Sequence, residues 1–242
     1  MQTAIIICRY RKRYVFFALL SMALFRIPLF FNKKVHFYKL MGSGKNGSFS
    51  KTPDWQQWAI LLELKTTVTV SHTLTELLKE ITGKIISHWF RFFQCETCLF
   101  VLEPAQSRGL WDGKKRFLAT GQPLEPNEKI AVLTRATIRL NRLQSFWKHV
   151  DAVNKEMLAS DGYIISYGIG EWPLLRQATF SIWQSQEKMM QFAYKNKNHA
   201  AVITKTRSEN WYSEDLFARF KIIHCAGTLK GKNPLQGKNL NL

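Results

Sequence analysis

The stretch RGLWDGKKRF, residues 108 to 117, returns in outline as AGTLKGKNPL at 226 to 235. Gly109, Gly113 and Lys114 correspond to Gly227, Gly231 and Lys232, each 118 positions further on. A fixed offset of this size marks an internal duplication. A second pair of segments supports it: Gly42 and Gly44 in LMGSGKNG correspond to Gly168 and Gly170 in YGIGEW at an offset of 126, a difference that longer loops explain.

Hydrophobic periodicity around these markers gives the same order of elements twice. The first half reads as a strand near 3–9, a helix near 13–26, strands near 35–41 and 57–64, a long helix near 73–92 and a strand near 97–103. After SRGLWDGKKRFLATGQPLEPNEK, rich in Gly, Pro and charge, come KIAVLTRATIRL as a strand and LQSFWKHVDAVNKEML as an amphipathic helix. YIISYGIG and LLRQATFSIW then read as strands, Gln186 to about Thr206 as helical, and FARFKIIHCAG as the last strand. Each half is βαββαβ, with expected boundaries of 1–107 and 129–227, a linker loop at 108–128 and a basic tail at 228–242. A sheet with helices on one face needs another sheet against its bare face, so the halves should pack sheet to sheet as a closed, pseudo-twofold α/β barrel of the α+β class.

The glycine pairs are not nucleotide loops. GSGKNG at 42–47 matches G-x-G-x-x-G but precedes a strand where a helix is required, and in GIGEWP Pro173 replaces the third glycine. Position 39, which a P-loop would need as glycine, is lysine. Both pairs read as structural, at points that favour positive φ or close backbone approach.

The 242 residues are 46% hydrophobic, ample for a core, and their net charge of +18 favours anionic partners such as nucleic acid or a membrane face. No motif of the usual nucleic-acid modules accompanies the charge, which disfavours that partner. Of the cysteines at 8, 95, 98 and 225, only Cys95 and Cys98 form a C-x-x-C, half of a zinc site without a second half. Reduced thiols and a cytoplasmic location follow. RYRKRY followed by VFFALLSMALF has the charge and apolar segments of a signal peptide but lacks a clear cleavage site, and Arg26 and Pro28 interrupt the run. The competing reading is a packed helix of the domain.

YKLMGSGKNGSF (38–49), AVLTRATIRL (131–140), FWKHV (146–150), GIGEWPLLRQATFSIW (168–183) and WYSEDLFARFKIIHCAG (211–227) together resemble the spheroidene monooxygenase family, bacterial acyclic carotenoid ketolases. The resemblance runs from about residue 14 to 235, whereas KIISHWFRFFQCETCLF at 84–100 and the Lys-rich ends depart from the pattern. It implies tandem ferredoxin-like halves forming a pseudo-dimeric barrel, and residues 13–26 as the first helix of the fold. It also implies a haem-dependent monooxygenase that places a keto group on an acyclic carotenoid such as spheroidene or a similar isoprenoid. Molecular oxygen and a donor such as reduced ferredoxin would be its co-reactants. The basic surface would bring such an enzyme to the inner face of an anionic membrane. A non-catalytic barrel that binds haem or another small molecule is the alternative, because a fold does not fix a function.

If haem binds it needs an axial ligand, and histidine is the usual one where oxygen is handled without a thiolate. His199, in KNKNHAAVITKTR, matches the family and is the first candidate for iron; it also reads as an exposed polar residue at a helix start. His149, in FWKHV, is the second. Arg176 is the polar outlier of LLRQATFSIW, able to stabilise bound oxygen or a propionate from a dry pocket, or else to form a surface ion pair with an acid such as Glu171. Arg135 is the second catalytic candidate and Arg219 a weaker one.

Overall fold

In a computed structural model of the chain, eight antiparallel strands close into one barrel in the order β1-β3-β2-β6-β7-β5-β8-β4. The structure describes residues 1–69, 73–119, 121, 123–195, 204–206 and 208–235. The first half contributes β1 (Gln2–Arg9), α1 (Val15–Leu24), α2 (Arg26–Phe31), β2 (Val35–Gly44), β3 (Pro53–Leu64), α3 (Leu74–Thr82), α4 (Lys84–Phe92) and β4 (Glu96–Gly109). The second contributes β5 (Ile130–Ile138), α5 (Leu143–Ala159), β6 (Tyr163–Trp172), β7 (Arg176–Trp183), α6 (Gln186–Met190) and β8 (Tyr212–Gly227). Each half carries its strands in the same spatial order, last, first, third, second, and the seams β4–β8 and β2–β6 close the circle. The α+β pseudo-dimeric barrel expected from the repeat is therefore the observed fold.

The repeated glycine segments form the same turn at opposite ends of the barrel. Trp111 bridges Lys114 in one and Leu229 bridges Lys232 in the other. Glu214 accepts hydrogen bonds from the backbone N–H of Asp112 (3.1 Å) and Gly113 (2.6 Å). Glu96 accepts them from Lys230 (2.9 Å) and Gly231 (2.6 Å). Each carboxylate thus holds the turn that follows the other half's last strand. The segment expected as a loose linker starts inside β4 and places Trp111 and Phe117 in the barrel core, while Leu229 plays the corresponding part in the tail.

Several local expectations are corrected. The helix expected at 13–26 is two: α1 stops at Leu24, and α2 runs to Phe31 because Pro28 falls in its first turn, where a missing N–H breaks no helical bond. The helix expected at 73–92 divides at Gly83, whose φ is +86°. The region expected to be helical from Gln186 to about Thr206 is helical at its described residues, as α6, a π-helical stretch over Gln191–Lys195, and helix at 204–206. Leu174, read as strand, has φ +65° in the turn before β7. β4 and β8 are longer than local alternation suggested because they pair with each other from Cys98–Gly227 to Gly109–Leu216. None of Gly42, Gly44, Gly168 and Gly170 has positive φ; Gly168 is required instead by close approach, since a Cβ there would lie 2.5 Å from Ser48 O.

The two outer faces differ. On the first half, α1 to α4 cover the sheet in one continuous apolar cluster that includes Ile6, Ala18, Phe25, Leu62 and Phe90. On the second half the cover splits. Val132, Met157, Trp183 and Phe192 pack at one end, and Ile138, Phe146, Trp147 and Trp211 at the other. Between them Thr134, directly opposite Thr179 on one side and Phe217 on the other, is exposed in mid-strand.

Gly109 and Gly227 test the turn account. Their φ values are +86° and +90°, and an added Cβ would be driven into the carbonyl oxygens of Asp215 and Thr97. Gly113 and Gly231 also have positive φ, but an added Cβ meets nothing within 4 Å. Gly113→Ala and Gly231→Ala should cost about 1–2 kcal/mol each, the left-handed penalty alone. Gly109→Ala and Gly227→Ala should cost clearly more, lowering the melting temperature by a further ~2–4 °C for each extra kcal/mol. Equal shifts for all four in thermal unfolding would refute the close-approach argument.

Candidate functional site

Inward-facing positions follow strand alternation. Ala131 and Leu133 on β5, and Ala178 and Phe180 on β7, belong to the barrel core, so Arg135 and Arg176 continue those rows toward one mouth. Lys39 arrives there from β2, Glu171 from β6, Glu214 from β8, and Asp112 and Trp111 from the first glycine turn. Lys39 pairs with Glu171 and with Asp112 (2.6 Å). Arg135 pairs with Glu214 and lies 3.6 Å from Glu171. Arg176 reaches Asp112 at 3.6 Å and Glu171 at 3.9 Å. Trp111 donates its indole N–H to Glu171 (2.8 Å), and the Arg135 guanidinium lies 5.4 Å from the Trp111 ring centroid.

Three cations thus meet three carboxylates around a buried indole. Burial works against ionisation of Glu214, but the Gly113 N–H, the Arg135 charge and the Asp112 N–H outweigh it and hold its carboxyl below the usual range. Burial likewise opposes, and Lys39, Arg135 and Arg176 outweigh, so that Asp112 is also held low. Glu214 and Asp112 stay ionised at neutral pH and bind cations rather than deliver protons. The Arg135 side chain is 1% exposed, and its Nε and Nη2 have no hydrogen-bond partner. Arg176 is 38% exposed and borders an open cleft of about 530 Å³ lined by Ile138, Leu140, Trp172 and Leu175.

The structure brings Arg135 and Arg176 together and gives Arg176 an ion pair with Glu171. His149 lies on the other side of the same sheet, on α5. Its Nδ1–H donates to Ser145 O (2.7 Å), and its ring centroid is 5.4 Å from that of Trp211. His199 lies outside the described residues. Arg219 also faces outward, directly opposite Val132, with its guanidinium 5.2 Å from the Phe217 ring and a buried Nε that has no partner. Among the described residues no group of three His, Cys, Asp or Glu side chains is placed to hold a metal ion. Cys95 and Cys98 do not act as a pair. Cys98 Sγ lies 3.8 Å from Cys225 Sγ inside the barrel, and all four cysteines are free thiols.

Lys39, Trp111, Asp112 and Glu214 were not singled out from sequence. One signal was available for Glu214: it stands 118 positions after Glu96, in register with the glycine turns.

The outward face of the second sheet is the other candidate. Gly168, Thr179, Thr134 and Phe217 lie side by side across its four strands, and Ser166, Ser181, Val132 and Arg219 form the next row. Gly168 is covered by the backbone of residues 48–49 and Val132 and Ser181 are buried, so the open part of these rows is Thr134 with its neighbours Thr179 and Phe217, beside the unpartnered Nε of Arg219.

No family model matches the chain. It is 34% identical to the spheroidene monooxygenase of Rhodobacter capsulatus over 224 residues, which is 91% of this chain and 89% of that one. It is 31% identical to the spheroidene monooxygenase of Cereibacter sphaeroides over 214 residues, 87% of this chain and 63% of that one. A solved aldoxime dehydratase in complex with butyraldoxime superposes with a TM-score of 0.61 at 10% identity, covering 97% of this chain and 84% of that one, and so shares the fold. Being 34% identical to a spheroidene monooxygenase over 91% of its own residues and 89% of the relative's, the chain belongs to the spheroidene monooxygenase family of oxidoreductases.

Proposed function

We propose that this protein is a haem-dependent monooxygenase that acts on an acyclic carotenoid, spheroidene or a similar linear isoprenoid, on the cytoplasmic side of the membrane. The observation that carries this reading is the centre of the second sheet, which the described residues leave open: Thr134 is exposed beside Phe217 and Arg219 offers a buried, unpartnered Nε, in a chain that is 34% identical to a spheroidene monooxygenase. Among the described residues the first half has no such gap. Haem would supply oxygen activation there. Thr134, Thr179 and Phe217 would hold its apolar face, and Arg219 would hold a propionate through charge-assisted hydrogen bonds. His199 is proposed as the iron ligand, with His149 next; at His149 the Nδ1–H bond to Ser145 O fixes the ring and leaves Nε2 as the coordinating atom. The free thiols support the cytoplasmic assignment.

Each oxygen atom inserted uses one O₂ and two electrons, the second oxygen leaving as water. Two insertions at one methylene followed by loss of water give the keto group. A one-electron donor such as reduced ferredoxin would supply the electrons. Arg176, at the edge of the apolar cleft, is placed to meet substrate. Arg135 acts as a positioning residue through Glu171 and Glu214, keeping the mouth dry and the turn at 111–114 in place.

Purified protein supplied with haem should show a Soret band. His199→Ala should abolish or strongly shift it while keeping the haem-free protein's circular dichroism, whereas His149→Ala, which loosens the Trp211 contact, should keep the band. A full, unshifted band in His199→Ala would transfer the assignment to His149. Absence of any band in the parent chain would favour a barrel that binds without catalysing.

Co-expression with enzymes that make linear carotenoids should give keto-bearing products, read by absorption and mass. Unchanged pigment from soluble, haem-loaded protein would exclude that substrate class.

Arg135→Gln removes a buried cation from the partly exposed Glu171 and Glu214 and should cost about 1.5–3 kcal/mol, or ~3–12 °C in melting temperature. Arg176→Gln should move the melting temperature by only a few degrees while raising KM. A similar loss of stability in both would mean that Arg176 serves the network alone.

A further inference from the structure

We infer that the outward face of α1 and α2 is a docking surface for an anionic lipid bilayer. Residues 12–31 form a run long and apolar enough to cross a membrane, yet in the fold they are bent at Phe25 and laid against the first sheet. Ala18, Ser21, Phe25 and Leu29 face the domain, and Tyr10 donates its hydroxyl to Ser21 (3.2 Å), tying β1 to α1. The opposite side should then be polar, as on most surface helices. It is not. Phe16 is 69% exposed, Ile27 62%, and Phe30 and Phe31 74% each, with Leu19 and Leu24 exposed in the same stripe. Ile85 and Phe92 of α4 are also exposed. A surface this apolar on a folded domain marks an interaction site.

Charge identifies the partner. Arg11, Lys12 and Arg13 lie before the stripe, Arg26 within it, and Lys33 and Lys34 after it, all exposed. Residues 9–34 hold seven basic side chains and no acidic one. Of the nearby α3 acids, Glu80 is paired with Lys34 (3.3 Å) and Glu76 caps its own helix through Thr73. Apolar side chains bordered by Lys and Arg suit acyl chains beneath anionic headgroups. A second copy of the chain docked on the same face would set basic residues against basic residues. A membrane-spanning role would require α1 and α2 to straighten and abandon the first sheet's core.

The surface stands on its own residues; that it draws a lipid-dissolved substrate to the enzyme rests on the carotenoid reading. The test needs neither haem nor carotenoid. Purified full-length protein is floated with vesicles of phosphatidylcholine alone, or with about a third phosphatidylglycerol. It should float with the anionic vesicles and much less with the neutral ones. Binding should weaken in about 1 M salt, where screening shortens to about 3 Å, and should be released by alkaline carbonate. The triple variant Phe16→Ser, Phe30→Ser, Phe31→Ser and the charge variant Lys12→Glu, Arg13→Glu, Lys33→Glu should each keep the parent's circular dichroism and lose about tenfold or more in partitioning. Failure to bind anionic vesicles, undiminished binding by a folded variant, or resistance to carbonate would overturn the proposal. So would a lipid-free dimer on gel filtration that the Phe triple variant dissolves. None of these failures touches the Soret band or the products expected above.

Discussion

Glu96 and Glu214 each reach beyond their own half to accept the backbone N–H groups of the turn that ends the other. This exchange sits astride the long β4–β8 seam, so neither half can complete its own end. The turn N–H groups, on the exposed rim, find a charged acceptor, the stronger class of hydrogen bond. With the turns held, Trp111 and Phe117 can fill one end of the core and Leu229 the other. Without it, a barrel of eight strands would be open to water at both mouths.

The two mouths share this device and differ in chemistry. At the Glu214 end Arg135 lies within the same carboxylate's reach and draws in Glu171, Lys39, Asp112 and Arg176. At the Glu96 end the inward groups are thiols and phenols: Cys98, Cys225, and Tyr167, whose buried hydroxyl has no partner and whose pKa burial pushes up. Duplication supplied a symmetric frame, and substitution at a few inward positions made one end ionic and the other neutral.

The duplication was readable because glycine turns and the residues around them keep their spacing, and spacing survives in a linear text. The fold class followed from it. Side-chain direction was readable only in part: alternation grouped Arg176 with Ala178 and Phe180, but nothing local could show that this row faces the barrel interior. Tyr212 to Leu216 escaped the strand assignment because Glu214 and Asp215 make the segment polar, and that polarity comes from a distant turn and from Arg135. Of the two causes the sequence suggested for the paired glycines, positive φ occurs at none, and close backbone approach by residues 48–50 occurs at Gly44 and Gly168.

The two seams are unequal. β4 and β8 pair along most of their length with two register shifts, whereas the β2–β6 ladder is Gly42–Gly170 and Ser43–Ile169, with Ser43 Oγ donating to Gly168 O (3.0 Å). Few backbone bonds guard that second join. Amide protons there should be the first of the barrel's to meet solvent, through an opening that leaves each half and the long seam intact. The closed circle then behaves mechanically as a single eight-stranded sheet with a clasp, and the clasp borders Lys39 and Glu171, so opening it would part the charges that close the mouth.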